Sequence, residues 1–386
     1  MSKRLRIAIL THSTNPRGGV VHALELGDAL CRADHYVTVH APDPNRNGFF
    51  RKTVCRTSAV PASRSGPDVT TMVEARIADY VRYFESEQNR PFDVWHAQDG
   101  ISGNALATLK ERGLISGFAR TVHHVDAFED ERLSALQLRA IATADCLFVV
   151  SRVWQHWLAH ALGRDACPVG NGVDMTRFSP MPDSTDVEVR ERLRLERGDP
   201  VFLAVGGIEE RKNSIRLLQA FCAVRARRPA CRLVLAGGAS LLDHAAYQAR
   251  FAAALAQSAL PEDAVVRAGP WPQQLMPALY RAATSLVFPS IKEGFGLVVL
   301  EAMASGIPVI TSQIAPFVDY LGPHDVAWCD PYDAASIAAA MEVSLDPSRR
   351  ERCIEGGLRI ATDHDWARTA RAHLASYDQL SEPAYA

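Results

Sequence analysis

The stretch Phe288-Pro-Ser-Ile-Lys-Glu-Gly-Phe-Gly-Leu-Val-Val-Leu-Glu301 decides the fold class of this chain. Apolar residues 286–288 read as a buried strand that Pro289 stops, and residues 297–304 read as a helix of good formers ended by Gly306 and Pro308. Between them Gly294 and Gly296 make the turn, so a strand passes through a glycine corner directly into a helix. The first amides of that helix have no intrahelical partner and suit a phosphate or the hydroxyls of a sugar. Two carboxylates, Glu293 and Glu301, sit at this corner eight positions apart. Taken alone they could be structural, one favoured by the dipole at the helix start and the other on a solvent face.

The same alternation extends outward along the whole chain. Strand-like runs at 7–10, 36–40, 94–97, 119–122 and 146–150 alternate with helix-like segments at 19–32, 71–88, 103–112 and 130–143. After the turn-prone Pro180-Met-Pro-Asp-Ser184 the pattern restarts: strands at 201–205, 232–236, 265–268, 285–288 and 309–311, helices at 213–225, 243–257, 274–282 and 297–304. This predicts an α/β chain of two Rossmann-like domains, each a doubly wound parallel sheet. The first domain is expected over 1–180 and the second over 187–365, with the linker at 179–186. A C-terminal amphipathic helix, 366–386, is expected to pack back on the first domain. The charged run 186–196 reads as a solvated helix opening the second. Open parallel sheets bind ligands beyond the carboxyl ends of their strands, so the turn after the first strand of each domain is expected to face a common cleft. Those turns are Thr11-His-Ser-Thr-Asn-Pro-Arg-Gly-Gly19 and Gly206-Gly-Ile-Glu-Glu-Arg-Lys-Asn213.

The bulk chemistry narrows the function. A formal charge of −2 over 386 residues, with no strongly basic segment, excludes nucleic acid as the main partner. Eight cysteines are scattered, with no Cys-x-x-Cys and no histidine cluster at zinc spacing; they read as small buried hydrophobes in a reducing compartment. No window approaches a membrane span, and the N-terminus runs straight into a short strand. A cytoplasmic location is expected, with at most peripheral membrane contact through the mixed-charge helix 71–88. Basic residues are mostly arginine: lysine occurs only at 3, 52, 110, 212 and 292, and two of these five fall in the glycine corners.

With the phrase around it, the Glu293–Glu301 spacing resembles the donor-binding signature of the family 4 retaining glycosyltransferases. The resemblance covers nearly the whole chain and implies the GT-B architecture, two facing Rossmann-like domains with a nucleotide-sugar held mainly by the second. It implies that Glu301 holds the ribose hydroxyls and Glu293 the donor sugar near its reacting carbon, with the amides of Phe295, Gly296, Leu297 and Val298 facing sugar and diphosphate. Lys212 matches the family's phosphate-binding lysine. The family's arginine position is occupied here by Gly207, and Arg211 is the neighbouring guanidinium that can replace it; otherwise Arg211-Lys212 is a solvated basic turn. Two cations matter because the family generally neutralises its leaving group without a metal.

In the first domain the resemblance points to Gly18-Gly19, a loop that approaches the donor phosphate and the acceptor, where Gly19 lets the backbone come close and Gly18 is an acceptor-side candidate, although a glycine pair can also be only a tight turn. It points as well to a histidine after strand 119–122; Thr-Val-His favours His123, with His124 the alternative. Asp126 and Asn171 are weaker acceptor-side candidates, Asn171 reading mainly as a turn. The segment Arg267-Ala-Gly-Pro-Trp271 is placed beside the base. The expected activity is transfer of a hexose from a nucleoside diphosphate sugar, uridine favoured over guanosine or adenosine, to a small-molecule or lipid-linked acceptor, with no metal or further cofactor. A sugar-nucleotide epimerase and a catalytically silent nucleotide-sugar-binding protein are the alternatives.

Overall fold

A computed structural model describes residues 3–381 except 65, 67, 197 and 239–243. The chain divides into two compact units, Met1–Gly172 with Trp366–Ala386, and Val173–Asp365. The first unit is built on a sheet of β1 (Arg6–Leu10), β2 (Tyr36–Asp43), β3 (Arg56–Pro61), β4 (Val94–Ala97), β5 (Ala119–Val122), β6 (Cys146–Val149) and β7 (Cys167–Pro168), in the order β3-β2-β1-β4-β5-β6-β7. The second carries β8 (Val201–Val205), β9 (Arg232–Ala236), β10 (Val265–Gly269), β11 (Ser285–Phe288), β12 (Val309–Ser312) and β13 (Ala327–Cys329), in the order β10-β9-β8-β11-β12-β13. Every described pairing is parallel. Such sheets are covered on both faces, which is why β1, β4, β5 and β11 are runs of buried residues rather than alternating ones.

Each order reverses once, between β1 and β4 in the first unit and between β8 and β11 in the second. At such a reversal the connections leave on opposite faces, opening a crevice beyond the strand ends. In both units, therefore, the loop after the first strand and the loop after its switch-point neighbour lie side by side.

Three strands escaped the sequence reading. β3 is a polar edge strand bonded only to β2, β7 is two residues long, and β13 is three. Edge strands need little apolar alternation because one side and part of each face meet water. The second unit is also completed by helices Ala334–Val343 and Pro347–Asp363, which were not expected. The expected helix over 243–257 runs Ala245–Gln257, its first position lying outside the described residues.

The boundary moves from the proline-rich segment to Gly172/Val173. Residues 173–186 are folded onto the second unit: Phe178 packs edge-on to Tyr280 at 5.8 Å, and the buried Arg281 guanidinium holds Asp183 at 2.8 Å and Asp186 at 2.9 Å. The helix opening that unit, Thr185–Arg192, is accordingly anchored through Asp186 and buried Val189 rather than wholly solvated. The C-terminal helix Trp366–Ser381 belongs to the first unit, with His373 4.4 Å from Phe148 and Tyr377 bonded to His96. Cysteines 55, 231, 329 and 353 are buried as expected; Cys167, on the two-residue strand β7, is exposed. No helix among the described residues is long and apolar enough to cross a membrane.

Candidate active site

In the second unit the β8 loop is shaped by backbone constraints. Gly206 sits at φ +141°, a one-turn helix spans Glu210–Lys212, and Asn213 takes a left-handed φ of 62° that asparagine tolerates better than most residues. The buried Asn213 amide donates to the carbonyls of Pro289 at 3.0 Å and Pro331 at 2.6 Å, and the Ile291 amide donates to Arg211 O at 2.9 Å. These bonds tie the β8 loop to the β11 loop, and the tie brings the charges together. Lys212 Nζ lies 2.6 Å from Glu293 Oε1 and 4.3 Å from the centre of the Phe288 ring; Arg211 Nη1 lies 3.1 Å from the same carboxylate oxygen. Arg211 Nε is in turn 3.0 Å from Glu209 Oε2.

Burial pushes the Lys212 ammonium below its ordinary value, and Glu293 only partly restores it. Burial alone would raise the Glu293 carboxyl, but Lys212 and Arg211 outweigh it and hold the group below the usual range. Glu293 is thus an ionised carboxylate in a desolvated place. Gly207, where the family resemblance expects an arginine, has no room for a side chain: a Cβ there would stand 2.7 Å from both Gly238 O and Glu209 Oε1. Arg211 is the guanidinium that reaches the site.

The corner that opens helix Leu297–Ala304 is equally constrained. Gly296 caps it at φ +95°, and a Cβ at Gly296 would meet Phe317 Cε1 at 2.6 Å. The Phe295 ring is buried and stacks on Tyr320 at 4.9 Å, and the Tyr320 hydroxyl donates to the Phe295 carbonyl at 3.3 Å. The amides of Leu297 and Val298 open the helix and have no intrahelical carbonyl to serve. One turn further, Glu301 Oε2 accepts a hydrogen bond from the buried Tyr280 hydroxyl at 2.7 Å. Trp271 has its indole nitrogen buried without a hydrogen-bond partner among the described residues.

The first unit repeats the geometry with different chemistry. Helix Gly18–Arg32 starts at the glycine pair; a Cβ at Gly18 would meet nothing within 4 Å, and one at Gly19 would lie 3.5 Å from His123 Cδ2. His123 Nε2 donates to Gln98 Oε1 at 2.9 Å, and its ring packs edge-on to His22 at 4.8 Å. His22, fully buried, donates from Nδ1 to Asn171 Oδ1 at 2.6 Å. Behind them His96 spans Tyr377 Oη at 2.6 Å and Thr121 Oγ1 at 2.8 Å. Burial drives all these imidazoles toward the neutral form: His22 falls to about 4, and His96 and His123 lie well below their ordinary value.

His123 is therefore the histidine packed on the glycine loop, whereas His124 is exposed and pairs with Asp126 at 3.1 Å. Asn171, the other acceptor-side candidate, is buried, and its carboxamide oxygen accepts from His22. Lys212, Arg211 and Glu293 are brought together; Gly19 and His123 are brought together in the other unit.

Two family models match: glycosyltransferase family 4 over residues 16–177, and glycosyl transferases group 1 over residues 186–359. The D-inositol 3-phosphate glycosyltransferase of Salinispora arenicola is 32% identical over 97% of this chain and 92% of its own length. The chain belongs to glycosyltransferase family 4. Its GT-B fold is shared with the sucrose-phosphate synthase of Thermosynechococcus elongatus, with a TM-score of 0.81 at 23% identity over 98% of this chain and 99% of that one. It is shared also with Anabaena HepE in complex with UDP-glucose, at TM-score 0.77 and 15% identity over 97% and 100% of the two chains.

Several residues gathered at these two switch points were not found by sequence reasoning. Gln98 directly follows β4 at the first switch point, a position that the rule of strand ends already marks. Glu209 lies inside the quoted glycine turn but reads there as an ordinary turn acid. Tyr280 and His22 carry no local signal; their roles come from partners 21 and 149 residues away.

Proposed function

We propose that this glycosyltransferase is a retaining enzyme that takes a hexose from a nucleoside diphosphate sugar, with UDP-sugars as the first donors to test, and gives it to a small-molecule or lipid-linked acceptor. The observation that carries the reading is the pairing of Lys212 and Arg211 with Glu293 at the switch point of the second unit, beside the start of helix Leu297–Ala304. Two cations and a set of unserved amides suit a diphosphate, on which charge grows as the bond to the sugar breaks. A carboxylate beside them suits the sugar hydroxyls. Glu301, steadied by Tyr280, suits the two ribose hydroxyls. The HepE complex with UDP-glucose supports uridine as the base to try first, and the name of the Salinispora relative supports a phosphorylated polyol among the acceptors to try.

In the proposed reaction the bond between the anomeric carbon and the diphosphate oxygen breaks, its electron pair leaving with the diphosphate. The acceptor oxygen bonds to the same face of the sugar, and its proton passes to the leaving phosphate. Lys212 and Arg211 supply the counter-charge, so no metal step is required by this scheme. The neutral His123 is suited to hydrogen-bond an uncharged hydroxyl of the donor sugar.

The test is a mass-spectrometric panel of nucleotide-sugars, each with and without a metabolite extract, scored for free nucleotide and new glycosides, with Glu293→Gln alongside. Acceptor-dependent nucleotide release from one donor, lost in the variant, is expected. A change in the donor sugar without any acceptor would replace the reading by an epimerase, and binding without turnover would replace it by a non-catalytic binding protein.

A further inference from the structure

Glu209 has an unusual position for a turn acid. It is only 2% exposed, it begins the one-turn helix Glu210–Lys212, and its Oε2 has no hydrogen bond while standing 3.0 Å from Arg211 Nε. Its other oxygen fills the space beside Gly207, 2.7 Å from where a Cβ would be, and lies 4.0 Å from His244 Nε2. A buried carboxylate is costly unless a cation stays beside it. Arg211, by contrast, is half exposed, and a long exposed side chain samples many rotamers unless something holds it. Here the guanidinium is gripped on its Nε edge by Glu209 and on Nη1 by Glu293.

The two grips differ in kind. Glu293 belongs to the β11 loop and also engages Lys212, so it stands as an internal anion across both cations. Glu209 belongs to the β8 loop itself and meets Arg211 at Nε, whereas Glu293 meets it at Nη1. An incoming dianion would compete with Glu293 for the two cations while the ion pair at Nε with Glu209 stays in place. We propose that Glu209 is a positioning residue for the donor: its buried carboxylate fixes Arg211 so that, with Lys212, it forms a two-cation seat for the terminal phosphate of a nucleoside diphosphate, a seat that Glu293 occupies when no diphosphate is bound. The proposal rests on the function proposed above and names the group that organises its anion site.

The experiment is a titration of the wild type, Glu209→Gln, Arg211→Gln and the double variant with UDP, GDP and ADP and with the matching monophosphates, together with thermal unfolding of each. Glu209→Gln keeps the shape and removes the charge. Its affinity for the preferred diphosphate is expected to fall about tenfold, as for loss of the ion pair that holds Arg211 in place, with the monophosphate affinity unchanged. The double variant is expected to be no weaker than Arg211→Gln alone, because Glu209 acts through Arg211. Additive losses, equal losses for mono- and diphosphate, or an unchanged diphosphate affinity would each overturn the role of Glu209. If Glu209→Gln does not fold, Glu209→Asp, which keeps the charge but withdraws it, must show the same diphosphate-selective loss. A wild type that binds none of the three diphosphates would instead overturn the donor reading, and the seat with it.

Discussion

The two switch points share one strand order and carry opposite chemistry. Beyond β8 and β11 the chain gathers charges: Lys212, Arg211, Glu209 and Glu293 lie within 3.1 Å of one another in successive pairs. Beyond β1 and β4 it gathers mainly neutral groups, His22, His123 and Gln98, backed by His96 and Tyr377, beside a single carboxylate, Asp99, that stands 3.5 Å from His12. The topology fixes only where a ligand can reach, at the crevice where connections diverge. What can bind there is set by side chains, and under the function proposed above the contrast gives anion binding to the second unit and hydroxyl contacts to the first. Buried charge has to be compensated by charge, whereas buried imidazole can shed its proton and remain.

The comparison is broken most sharply at Lys212. Replacing it by methionine is expected to lower kcat/KM by a factor on the order of 10² to 10³, as for removal of a preorganised group that stabilises developing charge. Glu293→Gln is expected to abolish transfer as completely while leaving nucleoside diphosphate affinity unchanged or up to roughly tenfold tighter, because the internal anion no longer competes. Steady-state kinetics beside direct binding separate the two. If Glu293→Gln weakens diphosphate binding, the carboxylate organises the cations rather than competing for them.

Acid sharpens the comparison next. His22 and His373 are held near 4 and 3 by burial, and His96 and His123 also lie well below the ordinary value. Between those values and about 6.5 the unfolded chain binds protons that the folded unit does not. Stability from these groups is therefore complete above pH 6.5 and is lost as the pH falls below it, at up to about 1.4 kcal/mol per pH unit per histidine. Glu293 is depressed, so its contribution is lost only as the pH falls below its ordinary value of 4.5. Hydrogen exchange at pH 7.5, 6.0 and 5.0 is expected to show the first unit losing protection while the second keeps it. Equal losses would mean that the histidine cluster is already hydrated in the native state.

Much of this was legible in the sequence because parallel sheets write their strands as continuous apolar runs bounded by glycine and proline. The corner at Phe288–Glu301 shows strand, turn and helix within fourteen letters, and the helix was read with its true bounds, Leu297–Ala304. β3, β7 and β13 were not legible, being short or polar edges, and the linker was misplaced because proline content marked residues that Arg281 and Tyr280 pull onto the second unit. The grouping of Lys212 with Glu293 was legible because both stand on the loops that follow neighbouring strands at one switch point. Burial was not legible: that Glu209 is buried and that Asn171 turns inward depend on tertiary contacts, which no local pattern encodes.

The finest test compares the two glycines that follow the first strand of each unit. At Gly207 a methyl would strike a backbone carbonyl that cannot yield, so Gly207→Ala is expected to cost about 1–3 kcal/mol in chemical denaturation. At Gly19 a methyl would make ordinary contact with His123, on a helix start where alanine restricts the unfolded chain, so Gly19→Ala is expected to leave stability unchanged or raise it by about 0.4–1 kcal/mol. Space alone then explains Gly207 but leaves Gly19 unexplained, since nothing in the folded unit requires its missing side chain. A ligand does: a methyl standing over the His123 ring would occupy the room through which the backbone approaches the donor. Gly19→Ala is accordingly expected to raise the donor KM several-fold in a protein as stable as the wild type, with Gly18→Ala, whose added methyl meets nothing, as the control. If both alanines leave KM unchanged, the glycine pair is only a turn, and the backbone approach to the donor proposed for it falls.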